Sequence, residues 1–92
     1  VRPKRKFFPA ISYPESAKYL GIEGKVRLML FIDEEGKIYK VKILTKLHPI
    51  LDRAAVAGAR KAKYKPALDQ YGKPIKSKSI ISIRFKIEEE EF

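Results

Sequence analysis

Residues 13–26 read YPESAKYLGIEGKV, and this stretch contains a helix start, a helix end and the opening of a strand. Pro14 suits the first turn of a helix, where its missing N–H leaves no hydrogen bond unmade. Two readings of the start stay open: a capping box begun by Ser12, or Tyr13 as the N-cap residue. Gly21 can adopt the left-handed conformation that ends a helix, so this helix has about two turns and needs tertiary packing.

Apolar and polar residues alternate after this helix, which predicts two antiparallel strands joined by a turn. The first strand directs four apolar side chains to one face: Val26, Leu28, Leu30 and Ile32. Its other face is mixed and carries Lys25, Arg27, Met29 and Phe31. Residues 33–36, Asp-Glu-Glu-Gly, supply a tight turn with a glycine available for positive φ. Residues 38–44 resume the alternation, with Tyr39, Val41 and Ile43 on one face and Lys40 and Lys42 on the other.

A second helix and a third strand complete the predicted fold. Residues 48–52, His-Pro-Ile-Leu-Asp, open the helix, and Pro66 lies beyond its end. A long strand then runs from residue 75 or 76 to residue 87, with Ile81, Ile83, Phe85 and Ile87 on one face. The order α-β-β-α-β predicts an α+β fold, a three-stranded antiparallel sheet with two helices packed on one face. Alternation alone leaves open whether the third strand lies against the first or the second.

The length of 92 residues corresponds to one small domain, which we place at residues 10–88. Residues 1–9 are basic and contain two prolines, so we interpret them as a linker tail of a longer protein. Residues 89–92 form an acidic tail. No apolar run approaches the roughly 18 residues that a membrane-spanning helix needs.

The formal net charge of +10 raises the question of an anionic partner such as nucleic acid. The basic residues are dispersed over several elements, which is more typical of solvated surfaces than of a dedicated groove. Aromatic stacking platforms are also disfavoured, because alternation puts Phe31 with Arg27 but Tyr39 away from Lys40. We therefore expect no nucleic-acid partner and keep a basic nucleic-acid-binding module as an alternative.

Catalytic and metal-binding patterns are missing from the sequence. The chain has no cysteine and a single histidine, His48, so convergent metal ligands are not available. No serine has a plausible base partner other than His48, and the glycines form no phosphate-binding loop. We predict a non-enzyme that uses no cofactor and no metal.

The motifs described above resemble the C-terminal domain of the energy transducer TonB. The resemblance covers residues 13 to about 87 and rests on four segments in order: YPESAKYLGIEGKV, DEEG at 33–36, HPILD at 48–52 and YKPA at 64–67. It implies that the hairpin pairs with the third strand, whose outer side is an edge. It also implies a periplasmic domain of an inner-membrane-anchored protein, which ExbB and ExbD drive with the proton-motive force.

The resemblance further implies a partner, the TonB box peptide of outer-membrane transporters for siderophores and similar nutrients. We predict that the peptide is captured by strand addition to the third strand. The predicted binding residues are Tyr13, Pro14, Ile80, Ile81, Ser82, Ile83, Arg84, Phe85 and Lys86. The same edge would permit a homodimer. A similar interaction domain of another envelope protein is the second alternative.

Overall fold

The computed structural model describes residues 2–87, so the predicted acidic tail at 89–92 lies outside the described residues. Its elements are β1 (Lys4–Phe7), α1 (Glu15–Tyr19), β2 (Gly24–Ile32), β3 (Ile38–Thr45), α2 (Pro49–Ala59), β4 (Lys63–Lys65), β5 (Ala67–Leu68), β6 (Pro74–Ile75) and β7 (Ser77–Phe85). The main sheet is antiparallel with the strand order β3-β2-β7. The predicted α+β fold is confirmed, and the third predicted strand, β7, lies against the first.

The core lies between one face of this sheet and the two helices. Val26, Leu28, Leu30 and Ile32 of the central strand β2 are fully buried, as the alternation predicts. Ala17 of α1 and Ala55 and Ala59 of α2 are also fully buried in this core. Small side chains on the helices let them lie close to the sheet, and the larger side chains of the strands fill the space.

The start of α2 is fixed by its own side chains. His48 is the N-cap residue, and its Nδ1 accepts the N–H of Ile50 at 3.2 Å. The carboxylate of Asp52 accepts the N–H of Leu47 at 2.9 Å and of His48 at 3.3 Å. Asp52 is buried, so these bonds compensate for its lost hydration. The prediction that HPILD opens a helix is confirmed.

The start of α1 differs from both sequence readings. Pro14 is the N-cap residue, and no side chain caps the helix. Glu15 is consequently the first helical residue rather than the third, so it cannot complete a capping box with Ser12. The Pro14 carbonyl instead accepts the N–H groups of Ala17 and Lys18, both at 3.1 Å.

Two β-bulges interrupt the alternation of β3. Phe31 pairs with Lys40 and Ile32 pairs with Ile38, so Tyr39 has no residue opposite it. Leu44 is skipped in the same way between Ile43 and Thr45. A bulge reverses the alternation. The prediction that Tyr39 lies away from Phe31 and Lys40 is therefore wrong: its ring centroid is 6.1 Å from that of Phe31 on the exposed side of the sheet.

Two short strand pairs lie outside the main sheet and were not predicted. β1 pairs with β4, so Lys4–Phe7, within the segment predicted as a linker tail, is hydrogen-bonded to the folded part. β5 pairs with β6. The Gly36 carbonyl accepts the N–H of Tyr64 at 2.9 Å, which ties the β2–β3 turn to β4.

Candidate peptide-docking edge

The strand β7 forms one border of the main sheet. All nine of its residues pair with β2 in an unbroken register, from Ser77 opposite Ile32 to Phe85 opposite Gly24. Among residues 2–87, no other strand pairs with β7. An antiparallel edge strand directs the N–H and C=O groups of alternate residues outward, where they can bind another chain.

The opposite border, β3, is a poorer template for strand pairing. Its bulges at Tyr39 and Leu44 break the regular spacing of its backbone groups at two places. Bulges of this kind bend and twist a strand, and proteins use them to prevent pairing at an edge. Of the two borders, β7 is the regular one.

The predicted binding residues on β7 divide into two groups. Ile81, Ile83 and Phe85 are buried in the core, so they can offer a partner only their backbone groups. The other four predicted residues have exposed side chains, three of them on β7 and the last just beyond its end: Ile80, Ser82, Arg84 and Lys86. A peptide added to β7 would contact these four on the outer side of the sheet.

The structure brings the predicted residue Tyr13 to the end of β7. The centroids of the Tyr13 and Phe85 rings are 5.3 Å apart in an edge-to-face arrangement, and the Tyr13 hydroxyl donates to the carbonyl of Ile22. Tyr13 also lines a cavity of about 290 Å³ together with Lys18, Lys86 and Ile87. Pro14 follows Tyr13 as the cap of α1. The two parts of the predicted site, distant in sequence, are therefore neighbours.

Glu23 is a site residue that the sequence analysis missed. Its carboxylate accepts the backbone N–H of Ile87 at 3.0 Å, just beyond the last paired residue of β7. This amide is therefore already satisfied and is not available to a partner chain. A lone glutamate before a glycine gives no sequence signal for such a contact across 64 positions.

Partial burial, and secondly the negative charge of Glu23, raise the pKa of Tyr13 above its usual value of 10.0. The raised pKa means that the folded state favours the protonated hydroxyl. This preference for the protonated Tyr13 stabilises the folded state fully below pH 10.0. The stabilisation is lost as the pH rises through the folded-state pKa. At neutral pH the hydroxyl donates to Ile22 without competition from ionisation.

We expect Tyr13→Phe to lower the urea midpoint at pH 7 slightly, because it removes this hydrogen bond and keeps the ring against Phe85. Above the folded-state pKa the wild type loses the same bond, so the two midpoints should converge. Urea titrations of both proteins at neutral and alkaline pH measure this. A midpoint difference that persists unchanged at alkaline pH would contradict the assignment.

Other features of the described residues give no sign of a chemical site. Within residues 2–87 no group of three or more potential ligand side chains could hold a metal ion. No helix in that range has the length and apolarity to cross a bilayer. A cavity of about 820 Å³ lies between β3 and α2, beside the border opposite to β7.

Comparison with known families identifies the family of the whole fold. A family model described as the Gram-negative bacterial TonB protein C-terminal matches residues 9–87. The chain belongs to this family. The match spans β2, β3, both helices and β7, and it confirms the resemblance that the sequence motifs indicated. A comparison with curated protein sequences finds no match.

Two solved TonB C-terminal domains are similar to the chain. The solution structure of the Pseudomonas aeruginosa domain is 26% identical with a TM-score of 0.78, and the alignment covers 97% of this chain and 90% of that one. The solution structure of the Helicobacter pylori domain is 24% identical with a TM-score of 0.63, over 87% of this chain and 72% of that one. The second likeness concerns the fold alone. The TonB-type architecture is thus confirmed.

Proposed function

We propose that this TonB-type domain binds the TonB box peptide of an outer-membrane transporter by adding it as a strand to β7. The observation that carries the proposal is the regular border of β7, with which no further strand of residues 2–87 pairs, in a sheet whose other border is bulged. The peptide backbone would pair with the outward groups of residues 80–86. Tyr13 and Pro14 would meet the peptide where it passes the end of β7.

The energetics of strand addition fit a contact that forms and breaks repeatedly. About four or five backbone hydrogen bonds, at roughly 0.5–1.5 kcal/mol each, give several kcal/mol before the peptide's ordering entropy is subtracted. Contacts with Ile80 and Arg84 add to this. Backbone pairing alone falls short of the about −8 kcal/mol of a micromolar complex, so these side-chain contacts have to supply the remainder.

The wider role follows from family membership and belongs to the proposal. The domain would work in the periplasm as part of an inner-membrane-anchored transducer that ExbB and ExbD energise from the proton-motive force. Its transporters would take up siderophores and similar scarce nutrients. The domain would act as a non-enzymatic coupling element, because its site offers backbone groups rather than reactive side chains.

The test is a titration of the labelled domain with synthetic transporter N-terminal peptides, followed by NMR of the backbone amides. We expect shifts concentrated at residues 80–86 and at Tyr13. A second series methylates single backbone nitrogens of the peptide. Because a strand pairs through every second residue on each side, methylation should abolish binding at alternate positions and leave the others unaffected.

Matched variants locate the side-chain contacts. Arg84→Ala should weaken peptide binding, whereas Arg53→Ala, an exposed arginine on α2, should not. Shifts confined to β3 or to the cavity beside α2 would refute the β7 assignment. Methylation effects without alternation would refute strand addition itself. Self-association that competes with the peptide would show that a second copy occupies the same edge.

A further inference from the structure

A second surface of the molecule adjoins the β7 border and shares the exposed side chains of Ile80 and Arg84 with it. The outer sheet face, defined as the side of β2, β3 and β7 turned away from the helices, is open within the described residues. Six basic side chains lie on it: Lys25, Arg27, Lys40, Lys42, Lys78 and Arg84. The three strands contain no aspartate and no glutamate.

Within residues 2–87, none of the cations of the outer sheet face takes part in an ion pair. Ion pairs in residues 2–87 join Lys18 to Glu15 and Lys37 to Glu35, and neither pair lies on this face. The residues opposite these cations on neighbouring strands are cations, apolar residues or, for Arg27, the hydroxyl residues Ser82 and Thr45. Lys25 stands opposite Arg84, and Phe31 lies between Lys78 and Lys40. A concentration of like charge on one flat surface attracts a multivalent anion.

Apolar side chains occupy the middle of the same face. Met29 is flanked across the strands by Lys42 and Ile80, and Ile80 is 53% exposed. The two bulges of β3 add Tyr39, 52% exposed, and Leu44, 37% exposed. The nine residues of β2 make the face about 30 Å long, and its outer strands are about 10 Å apart.

The aromatic rings of this face are poorly placed for stacking on nucleic acid bases. The Nζ atoms of Lys40 and Lys78 lie 5.3 Å and 5.4 Å from the centroid of Phe31. Lys76 Nζ lies 5.4 Å from the centroid of Tyr39. Ammonium groups therefore occupy the positions over the rings that a base would need.

We propose that the outer sheet face docks on a membrane surface of anionic lipid headgroups. Exposed apolar side chains surrounded by lysines and arginines match such an interface, since the apolar groups enter the headgroup boundary and the cations bind lipid phosphates. Lysine stems extend their charges from the strand to the headgroup level. The backbone edge of β7 points along the bilayer plane, whereas the side chains of Ile80 and Arg84 lie on the docked face and would be shared between the membrane and a bound peptide.

The experiment measures co-sedimentation of the domain with vesicles of phosphatidylglycerol mixed with phosphatidylcholine, and with phosphatidylcholine alone. We expect binding to the anionic vesicles only, and its loss at about 1 M salt, where the Debye length is about 3 Å. The double variant Lys40→Glu, Lys42→Glu should lower the partition coefficient about thirty-fold or more. Leu44→Ser should lower it less, through the apolar contact.

The controls apply equal changes away from the face. Lys61→Glu with Lys73→Glu alters the net charge identically at exposed positions, and Leu20→Ser removes an apolar side chain that is 61% exposed. Both controls should bind anionic vesicles almost as the wild type does. Equal loss in the control and face variants, or equal binding to neutral vesicles, would overturn the proposal.

A single-stranded oligonucleotide is the competing probe. Tighter binding of the oligonucleotide than of anionic vesicles, abolished by Phe31→Ala, would assign the face to nucleic acid and overturn the lipid proposal. The Lys40→Glu, Lys42→Glu variant should still bind transporter peptides normally, because both positions lie on β3. Failure of the lipid proposal and failure of the peptide proposal are therefore separate results.

Discussion

Replacing Gly36 with alanine should destabilise the domain by about 3–5 kcal/mol, because two costs act at this position. Gly36 has a φ of +85°, which an L side chain rarely adopts, and its added Cβ would lie 1.9 Å from the carbonyl oxygen of Tyr64. The contact is with backbone, so no side chain can rotate away. Relief would break the bond between the Gly36 carbonyl and the Tyr64 N–H.

Gly72 supplies the matched control for this substitution. Its φ of +78° is nearly the same, but nothing lies within 4 Å of an added Cβ. Gly72→Ala should therefore cost only the left-handed strain, about 1–2 kcal/mol. Urea unfolding measures the difference in the free energy of unfolding between the two variants, and equal m-values make the two values comparable. Equal destabilisation by the two would show that β4 is not packed against the turn.

The second large effect is expected at the centre of the sheet. Leu28 is fully buried on β2 between strands on both sides, so Leu28→Ala leaves a cavity that β3 and β7 hold open. The expected cost is about 3–5 kcal/mol. Ile80→Ala removes a similar volume from a side chain that is 53% exposed, and should cost less than about 1 kcal/mol.

Calorimetry or urea titration of the two truncations tests the assignment of the two faces. The result would also separate stability from binding, since Ile80→Ala should weaken peptide affinity while leaving the fold intact. If Ile80→Ala destabilises as strongly as Leu28→Ala, the outer sheet face is covered in solution and both proposals would have to change.

The sequence predicted those elements whose signal is periodic or chemically marked. Strict alternation identified β2 and β7, and it assigned Ile81 to the core and Arg84 to the exposed side. The HPILD segment marked the start of α2 because proline and the capping groups act within one turn. These interactions are local, so they can be predicted from residues that are neighbours in sequence.

Interactions between segments distant in sequence could not be predicted in this way. Alternation along β3 placed Tyr39 on the inner face. A bulge depends on how the strand pairs with β2, so the sequence of β3 alone does not predict it. The bond from Ile87 to Glu23 and the β1–β4 pair depend on the completed fold. Half of the candidate site, the meeting of Tyr13 with Phe85, was likewise fixed only by tertiary structure.

The burial of Ile81, Ile83 and Phe85 determines how β7 would respond if the proposed peptide partner pulled on it. Sliding β7 by one residue along β2 would turn these three side chains to water and bring Ser82 and Arg84 inward. Such a shift in register has no intermediate of low free energy. Under tension along the strand axis, we expect the bound peptide to detach from β7 before β7 shifts along β2.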